Sequence, residues 1–557
     1  MALAIVAGNV RAQSAPQGKA SLQGTVVSVA GNAPVSNANV VVARVGGALT
    51  DYRAVETDSG GKFTVRDLVP GSYRIYVERD GFLRGEHGSR FSGSAGTPVS
   101  VVDGQVAAPV VITLTPTGAI AGRVTDGSRA ASLVWVRALK AEFFDGQRSF
   151  RISTWAQTDD LGQFRLFGLA PGMYYVSAIL PANPALDGAN LITPAIPTRA
   201  NGNVYSTSAP ATAENLDPRV FDTLAAPAVY HPGTTDIERA VAVEVRPGGS
   251  VAGLSLALAH VEPRRIRGRV TAPDASALAG LRITVTPVVS ATNAPIPSPV
   301  IVNGTFEIAR VPPGRYVLGA WSPAANTTRF FGTTTVDVSA ADASDVTIAM
   351  NANVTVTGTL TLDGRVPVAA DGALLVQLQS ASPGTPGQGA QRVQPDGTFT
   401  IANVYPGRYR FRVLQTGKSP WVKSARWGSD DVVTAPMTID GEPAGRSLVI
   451  DIGTKTAAVD VTVLDAQRRP ASGVLVVAVP DASRRGRTVN YKSASTDAQG
   501  RVQIADLAPG EYRFFATTDI PLADWQDPDV MRRFETRGEL VRLAEAGSAA
   551  VTITVLR

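Results

Sequence analysis

Five times along the 557-residue chain, a glycine is followed two residues later by an aromatic or valine, and twelve residues after the glycine by the tyrosine of a Pro-Gly-x-Tyr corner. The copies are Gly61, Phe63, Pro70, Gly71, Tyr73, then Gly162, Phe164, Pro171, Gly172, Tyr174, and Gly304, Phe306, Pro313, Gly314, Tyr316. They continue with Gly397, Phe399, Pro406, Gly407, Tyr409 and Gly500, Val502, Pro509, Gly510, Tyr512. Spacing held so rigidly marks one small unit copied in tandem. The anchor glycines lie 101, 142, 93 and 103 residues apart, so five units account for nearly the whole chain. A single core seldom grows past about 250–300 residues, which also argues for division.

Within a unit the pattern is that of strands. Phe63 and Val65 alternate with Lys62, Thr64 and Arg66, one face in and one face out. Tyr73, Ile75 and Val77 repeat the alternation after the corner, as do Tyr409, Phe411 and Val413. Asp58-Ser59-Gly60-Gly61 supplies a turn, because Asp bonds its own backbone and Gly accepts positive φ. Pro70-Gly71 is expected to form a type II turn. Each unit closes on valine-rich strands, Val99 to Val102 and Val110 to Leu114 in the first, Val551 to Val555 in the last. Roughly seven short strands per unit, with turns every 8–12 residues, predict an antiparallel β-sandwich. Helix is limited to a turn or two over Asp529 to Arg537 and Leu540 to Ala546. The resulting division is 1–20 as a partial signal peptide or disordered N-terminus, then sandwiches at 21–115, 116–259, 260–350, 351–453 and 454–557. The second carries an Ala-, Pro- and Asn-rich surface excursion at about 181–235. Short joints such as Pro116-Thr117 and Gly453-Thr454 predict a semi-rigid array.

At this point the residues resemble a known family. Thr57-Asp58, Gly61-Lys62-Phe63-Thr64-Val65 and Leu68-Val69-Pro70-Gly71-Ser72-Tyr73 are similar to the carboxypeptidase regulatory-like domain. Thr496-Asp497, Gly500 and Leu507-Ala508-Pro509-Gly510-Glu511-Tyr512 match it as well, with Val502 in the aromatic slot. The third and fourth copies keep Gly-x-Phe and Pro-Gly-x-Tyr but lose the Thr-Asp. The resemblance implies an all-β tandem array of five transthyretin-like, Ig-like, seven-stranded sandwiches. It also implies accessory, adhesive or ligand-binding duty at the bacterial cell envelope, sometimes beside a peptidase or an outer-membrane transporter.

Composition and motifs narrow the chemistry. With no cysteine there are no disulfides, thiolate metal sites or cysteine nucleophiles. The three histidines, His87, His231 and His260, have no Glu three residues on, so the zinc-carboxypeptidase pair is missing. No Gly-x-Ser-x-Gly elbow or phosphate-binding loop is present. The turn acids Asp58, Asp159-Asp160, Asp396 and Asp497 supply one carboxylate per turn, against the six to eight oxygens calcium takes, and read as turn formers. No enzyme, metal or cofactor is expected. The net charge is +5, and Arg264-Arg265 and Arg484-Arg485 read as solvated loop arginines rather than a nucleic-acid face. The apolar run Met1 to Val10 followed by Arg11-Ala12-Gln13 is similar to the later part of a secretory signal, and export is the preferred reading.

One feature stands above this background. Trp321, Trp421, Trp427 and Trp525 all fall between a Pro-Gly-x-Tyr strand and the closing strands of their unit. If exposed together at the sandwich ends, they would present rings for sugar stacking; the competing reading is that each plugs its own sandwich. The expected function is therefore a non-enzymatic exported scaffold with a protein or polysaccharide partner. The alternatives are carbohydrate binding through the Trp loops, or service as accessory to a separate hydrolase or transporter.

Overall fold

The computed structural model describes residues 19–47, 51–89, 96–179, 227–259, 261–288, 298–322, 330–382, 384–415, 420–441, 445–518, 520 and 522–556. The N-terminal segment, most of the 181–235 excursion and His260 lie outside them. The regular secondary structure of the described residues is almost all strand, and these strands form ten sheets. It packs as two units, one of residues 1–119, 167–172 and 245–250, the other of 120–166, 173–244 and 251–557.

In the first unit, Ala20–Ser28 sits centrally between Lys62–Leu68 and Val110–Leu114. The facing sheet runs Tyr52–Glu56, Asn39–Arg44, Gly71–Glu78, with Gly85–Glu86 and Val99–Val101 on its far edge. Between them lies a core of Leu22, Val26, Val40, Val42, Phe63, Val65, Ile75, Val77 and Ile112. The sandwich is not purely antiparallel: the first and closing strands pair in parallel, Gly24 opposite Val110 through Ser28 opposite Leu114. The third, fourth and fifth repeats show the same parallel pairing.

The repeated residues turn out to be the joints of this plan. Each anchor glycine has φ between 71° and 83°, a conformation that suits glycine. Its carbonyl accepts from the first strand of its own repeat, as in Val26 N–H to Gly61 O (2.7 Å) and Val463 N–H to Gly500 O (2.7 Å). A Cβ at Gly61 would come within 2.5 Å of the Val26 oxygen. Asp58 Oδ1 accepts from the Gly60 and Lys62 amides at 2.9 and 2.8 Å, and Asp159 and Asp497 repeat this arrangement. The preceding threonines are buried: Thr57, Thr158 and Thr496 each donate to one loop carbonyl and accept one amide across the sandwich.

The tyrosine closes the corner. Tyr73, Tyr316 and Tyr409 donate their hydroxyls to the carbonyls four residues upstream, at 2.7, 2.8 and 2.9 Å, which satisfies a backbone oxygen that the sharp bend leaves unpaired. Pro-Gly itself is not the expected type II turn. Gly71, Gly172, Gly407 and Gly510 have φ of 157°, 149°, 157° and 132°, far wider than the roughly +80° of that turn. The glycine is already the first residue of the next strand, so the chain changes sheet through an open bend.

A further recurrence was not visible as a motif. Six residues after each anchor glycine, Asp67, Gly168, Arg310, Asn403 and Asp506 all take positive φ, between 56° and 72°. In four copies the ladder to the first strand skips a residue there, as between Ala20 opposite Leu68 and Leu22 opposite Val65. This is a β-bulge, and it twists the anchor strand toward the corner.

In the second unit two sheets are buried on both faces. Leu475–Pro480 turns Val476 and Ala478 to the main core of the fifth repeat, while Val477 and Val479 meet Phe515, Trp525 and Met531 in a second core. That second core is covered by the helix Pro528–Phe534, which Asp527 caps, and the single turn Glu535–Arg537 that follows it. The expected turns over Asp529 to Arg537 are therefore present. Leu540 to Ala546 instead begins as the strand Glu539–Leu543, because its residues pair with Gly510–Thr517. In the second repeat, Leu139, Tyr230 and Ile237 form a similar outer cluster.

The second unit is also tied across repeats that are not neighbours in the chain. The hairpin Trp135–Phe144 and Gln147–Gln157 of the second repeat reaches the fifth. Asp145 accepts from the Thr488 amide at 2.8 Å and donates its own amide to the Thr488 hydroxyl at 3.0 Å, while Lys140 lies 3.8 Å from Asp524. An array in which each repeat touches only its neighbours does not describe this unit.

Candidate functional site

The four tryptophans singled out in the sequence separate into two kinds. Trp427 and Trp525 are 2% and 0% exposed and belong to cores. The Trp427 indole donates to Thr438 O at 3.0 Å, and Trp525 stacks between Phe515 and Phe534 at 4.6 and 5.9 Å. Neither offers a ring to solvent. Trp321 and Trp421 are half-buried. Trp321 lies opposite Arg282 in its sheet, with the guanidinium 5.3 Å from the ring centre. The structure brings no two of the four together. It does pair Trp135 with Trp155, edge to face at 4.3 Å, on the hairpin of the second repeat.

Trp421 opens the strand Trp421–Trp427, which departs from the general plan by hydrogen-bonding to the closing strand Leu448–Gly453. Gly453 makes this possible: a Cβ there would fall 2.3 Å from the indole. The ring is seated against bare backbone, with the Lys423 ammonium 5.5 Å from its centre, and it lines a cleft of about 410 Å³ between the fourth and fifth repeats. That volume lies in the ~300–1,000 Å³ range of small-molecule sites.

Alternation sets the cleft's charge. In Gly407–Gln415, Tyr409 and Phe411 point into the core, so Arg410 and Arg412 point out, and Arg412 lines the cleft. The opposite wall is the loop Asp481 to Asn490 of the fifth repeat. Here the expectation of solvated loop arginines fails. Arg484 is held by the Asp481 carboxylate, donates to Pro509 O and Glu511 O at 3.0 and 2.9 Å, and lies 4.8 Å over the Tyr512 ring. Arg485 forms a two-pronged pair with Glu535 at 2.9 and 2.7 Å. Arg264 is likewise half-buried, whereas Arg265, on the exposed face of the third repeat, pairs with Glu307 at 3.3 Å.

Arg487 is the least expected of these residues. It crosses to the fourth repeat and donates to the carbonyls of Phe411 and Val433. Burial lowers its pKa below the ordinary arginine value, with Arg410 and Arg412 adding to the effect against Asp145. It stays charged nonetheless, since arginine is not deprotonated in proteins. Lys423 is neutralised at 2.7 Å by Asp363 and at 2.7 Å by Glu545. Arg412, Arg487 and Lys492 have no carboxylate partner among the described residues, and Asp506 is the one acid lining the cleft.

No three His, Asp or Glu side chains gather as metal ligands among the described residues. His87 is half-buried and its pKa is lowered by burial, while His231 sits where its amide donates to Val176 O. No described helix is long and apolar enough to cross a membrane.

No curated protein matches the chain. Among solved structures, the chain is similar to a Streptococcal ancillary pilin, at 9% identity over 53% of this chain and 99% of that one, with a TM-score of 0.19. The minor pilin GBS52 of Streptococcus agalactiae is 11% identical over 43% of this chain and 97% of its own, with a TM-score of 0.20. The shaft pilin spaA of Lactobacillus rhamnosus GG is 12% identical over 44% and 99%, with a TM-score of 0.19. TM-scores of this size contribute nothing to the reading of function. The carboxypeptidase regulatory-like domain family matches residues 21–115, so the first repeat is a carboxypeptidase regulatory-like domain.

Proposed function

We propose that the chain is a tandem of five β-sandwiches, at 21–115, 116–259, 260–350, 351–453 and 454–557, acting as a non-enzymatic exported scaffold that binds a ligand or protein at the bacterial cell envelope. One observation carries this reading. Every residue type that recurs in the repeats has a structural use: the anchor glycine receives the first strand, the turn acid and threonine pin loops, and the tyrosine satisfies the corner. Nothing that recurs is left over for a reaction. Specificity then belongs to features outside the repeated pattern, and the cationic cleft beside Trp421 is one.

The test is retention and location of the full chain. Expressed in a Gram-negative host, the protein is expected in the periplasmic or outer-membrane fraction. Immobilised, it is expected to retain an envelope protein or polysaccharide. Recovery in the cytoplasm alone, or peptidase activity intrinsic to the purified chain, would overturn the reading.

A further inference from the structure

The cleft between the fourth and fifth repeats has a composition that specifies more than binding in general. Its cations are of two kinds. Lys423 and Arg484 are already matched to carboxylates and serve to fix the walls. Arg412 and Lys492 are half-buried, line the cleft from opposite repeats, and have no acid partner among the described residues. Arg487, which also lines the cleft, uses its N–H groups on backbone carbonyls and has only Asp145, outside the cleft lining, to offset its charge. Three such charges at one concave site raise the local potential and favour an anion, more so inside a cleft than on an open surface.

Apart from the Asp506 carboxylate, the remaining lining is uncharged and suited to hydroxyl-bearing rings. Trp421 contributes an aromatic surface seated on Gly453. Asn490 and Asp506 offer an amide and a carboxylate that a sugar hydroxyl can meet. Flat aromatic area in a cleft with an arginine fork and a lysine ammonium fits a carboxylated pyranose: the ring's C–H face lies on the indole while its carboxylate meets the guanidinium. An acidic peptide would use the same cations but has no need of the aromatic wall.

We propose that this cleft binds an acidic glycan, a uronate-containing segment whose carboxylates are held by Arg412 and Lys492 and one of whose rings stacks on Trp421. The proposal rests on the ligand-binding reading above and names the class of ligand for it.

The experiment is calorimetric titration of the full chain with oligogalacturonate, in parallel with cello-oligosaccharide, oligoglutamate and inorganic phosphate. Oligogalacturonate is expected to bind, with affinity falling as salt is raised. Arg412→Gln and Lys492→Gln are each expected to weaken it about tenfold, as is Trp421→Ala. Arg426→Gln, which removes an exposed arginine of the same strand that does not line the cleft, is expected to leave it unchanged. Thermal melts of the variants that match the parent establish that the fold is intact; should Trp421→Ala fail to fold, the two charge variants decide the matter. Equal affinity for oligoglutamate or phosphate would overturn the glycan assignment. Cello-oligosaccharide binding that Trp421→Ala removes and Arg412→Gln spares would overturn the acidic ligand while leaving a carbohydrate-binding protein. Absence of binding to all four probes would overturn the site, with the scaffold reading still decided by its own fractionation and retention test.

Discussion

Gly358 lies directly opposite Phe399 across the first sheet of the fourth repeat, and the phenyl ring fills the space a side chain at 358 would need. A Cβ there would meet Phe399 Cζ at 2.2 Å and the Leu448 carbonyl oxygen at 2.3 Å. Gly24 and Phe63, and Gly268 and Phe306, form the same pair in the first and third repeats. In the fifth repeat both members change together: Val461 faces Val502. The anchor aromatic and the bare backbone beneath it are one unit of packing, in which the ring covers a glycine strand that would otherwise lack cross-strand contact.

Gly358→Val is therefore expected to destabilise the chain by about 1–3 kcal/mol through overpacking. Phe399→Val, which leaves a cavity, is expected to do the same on its own. The double change Gly358→Val with Phe399→Val reproduces the fifth repeat and is expected to cost less than the sum of the singles by more than about 0.5 kcal/mol. Urea midpoints of the four proteins measure the coupling. Strict additivity would show that the two positions are independent.

This pair also shows how far the sequence could be read. The anchor phenylalanine was legible because it recurs at fixed distance from a glycine and a corner. Its partner was not, since a lone glycine in a strand gives no sign of which residue lies across from it. The bulge six residues after the anchor escaped for a related reason: Asp67, Arg310 and Asn403 share a backbone conformation and no chemistry. The second core of the fifth repeat did leave a signal. Leu475-Val476-Val477-Ala478-Val479 is continuous rather than alternating, the mark of a strand covered on both faces. Trp525 belongs to that cover, so its burial followed from a neighbour 46 residues away and not from its own loop. Arg487 and the contact of Asp145 with Thr488 depend on which repeats meet in space, and no local pattern encodes that.

The corner tyrosines give the fold a defined alkaline limit. Burial pushes the Tyr316 hydroxyl up to about 12 and raises Tyr409 as well. An unfolded tyrosine titrates near 10, so the native state holds its phenolic protons more tightly than the unfolded one. The stabilisation is fully present below pH 10 and is lost as pH rises from there through 12. Denaturation midpoints measured from pH 8 to 12 are expected to fall above pH 10, and Tyr316→Phe is expected to flatten that fall. At neutral pH the same variant should lose about 1 kcal/mol, for the hydrogen bond to Pro312. An unchanged alkaline slope in Tyr316→Phe would assign the transition to other groups.

Docking of the second repeat on the fifth is open to a direct test, because the chain has no cysteine to confuse it. Asp145 and Thr488 exchange hydrogen bonds between each other's side chain and backbone, so the two residues lie side by side across the contact. Asp145→Cys with Thr488→Cys is expected to close an internal cross-link on mild oxidation, seen as a faster band on a non-reducing gel and reversed by dithiothreitol. A cross-link that forms only after denaturation would show that the hairpin does not dock.

Lys423 joins the fourth and fifth repeats by bridging Asp363 of one and Glu545 of the other, each at 2.7 Å. Its ammonium and the Thr454 hydroxyl bring the Asp363 carboxyl down to about 2, below the roughly 3.9 of a free aspartate. A depressed carboxyl contributes stability that is present above the unfolded value and lost as pH falls through the folded one, so the bridge should hold at pH 5 and fail between about 4 and 2. Because the groups are partly exposed, salt screens them and the effect on global stability is small. The local effect is the informative one. Lys423→Gln removes both contacts at once, and hydrogen exchange at Thr454, Lys455 and Ala546 is expected to quicken at neutral pH to the rate the parent shows near pH 3, after correction for intrinsic chemistry. Ala546 is included because its amide points at Lys455 O from the far side of the same joint. Quickening at Thr454 without Ala546 would mean that Lys423 anchors the fourth repeat alone and that the two sandwiches are held together by Arg487 and its carbonyl partners instead.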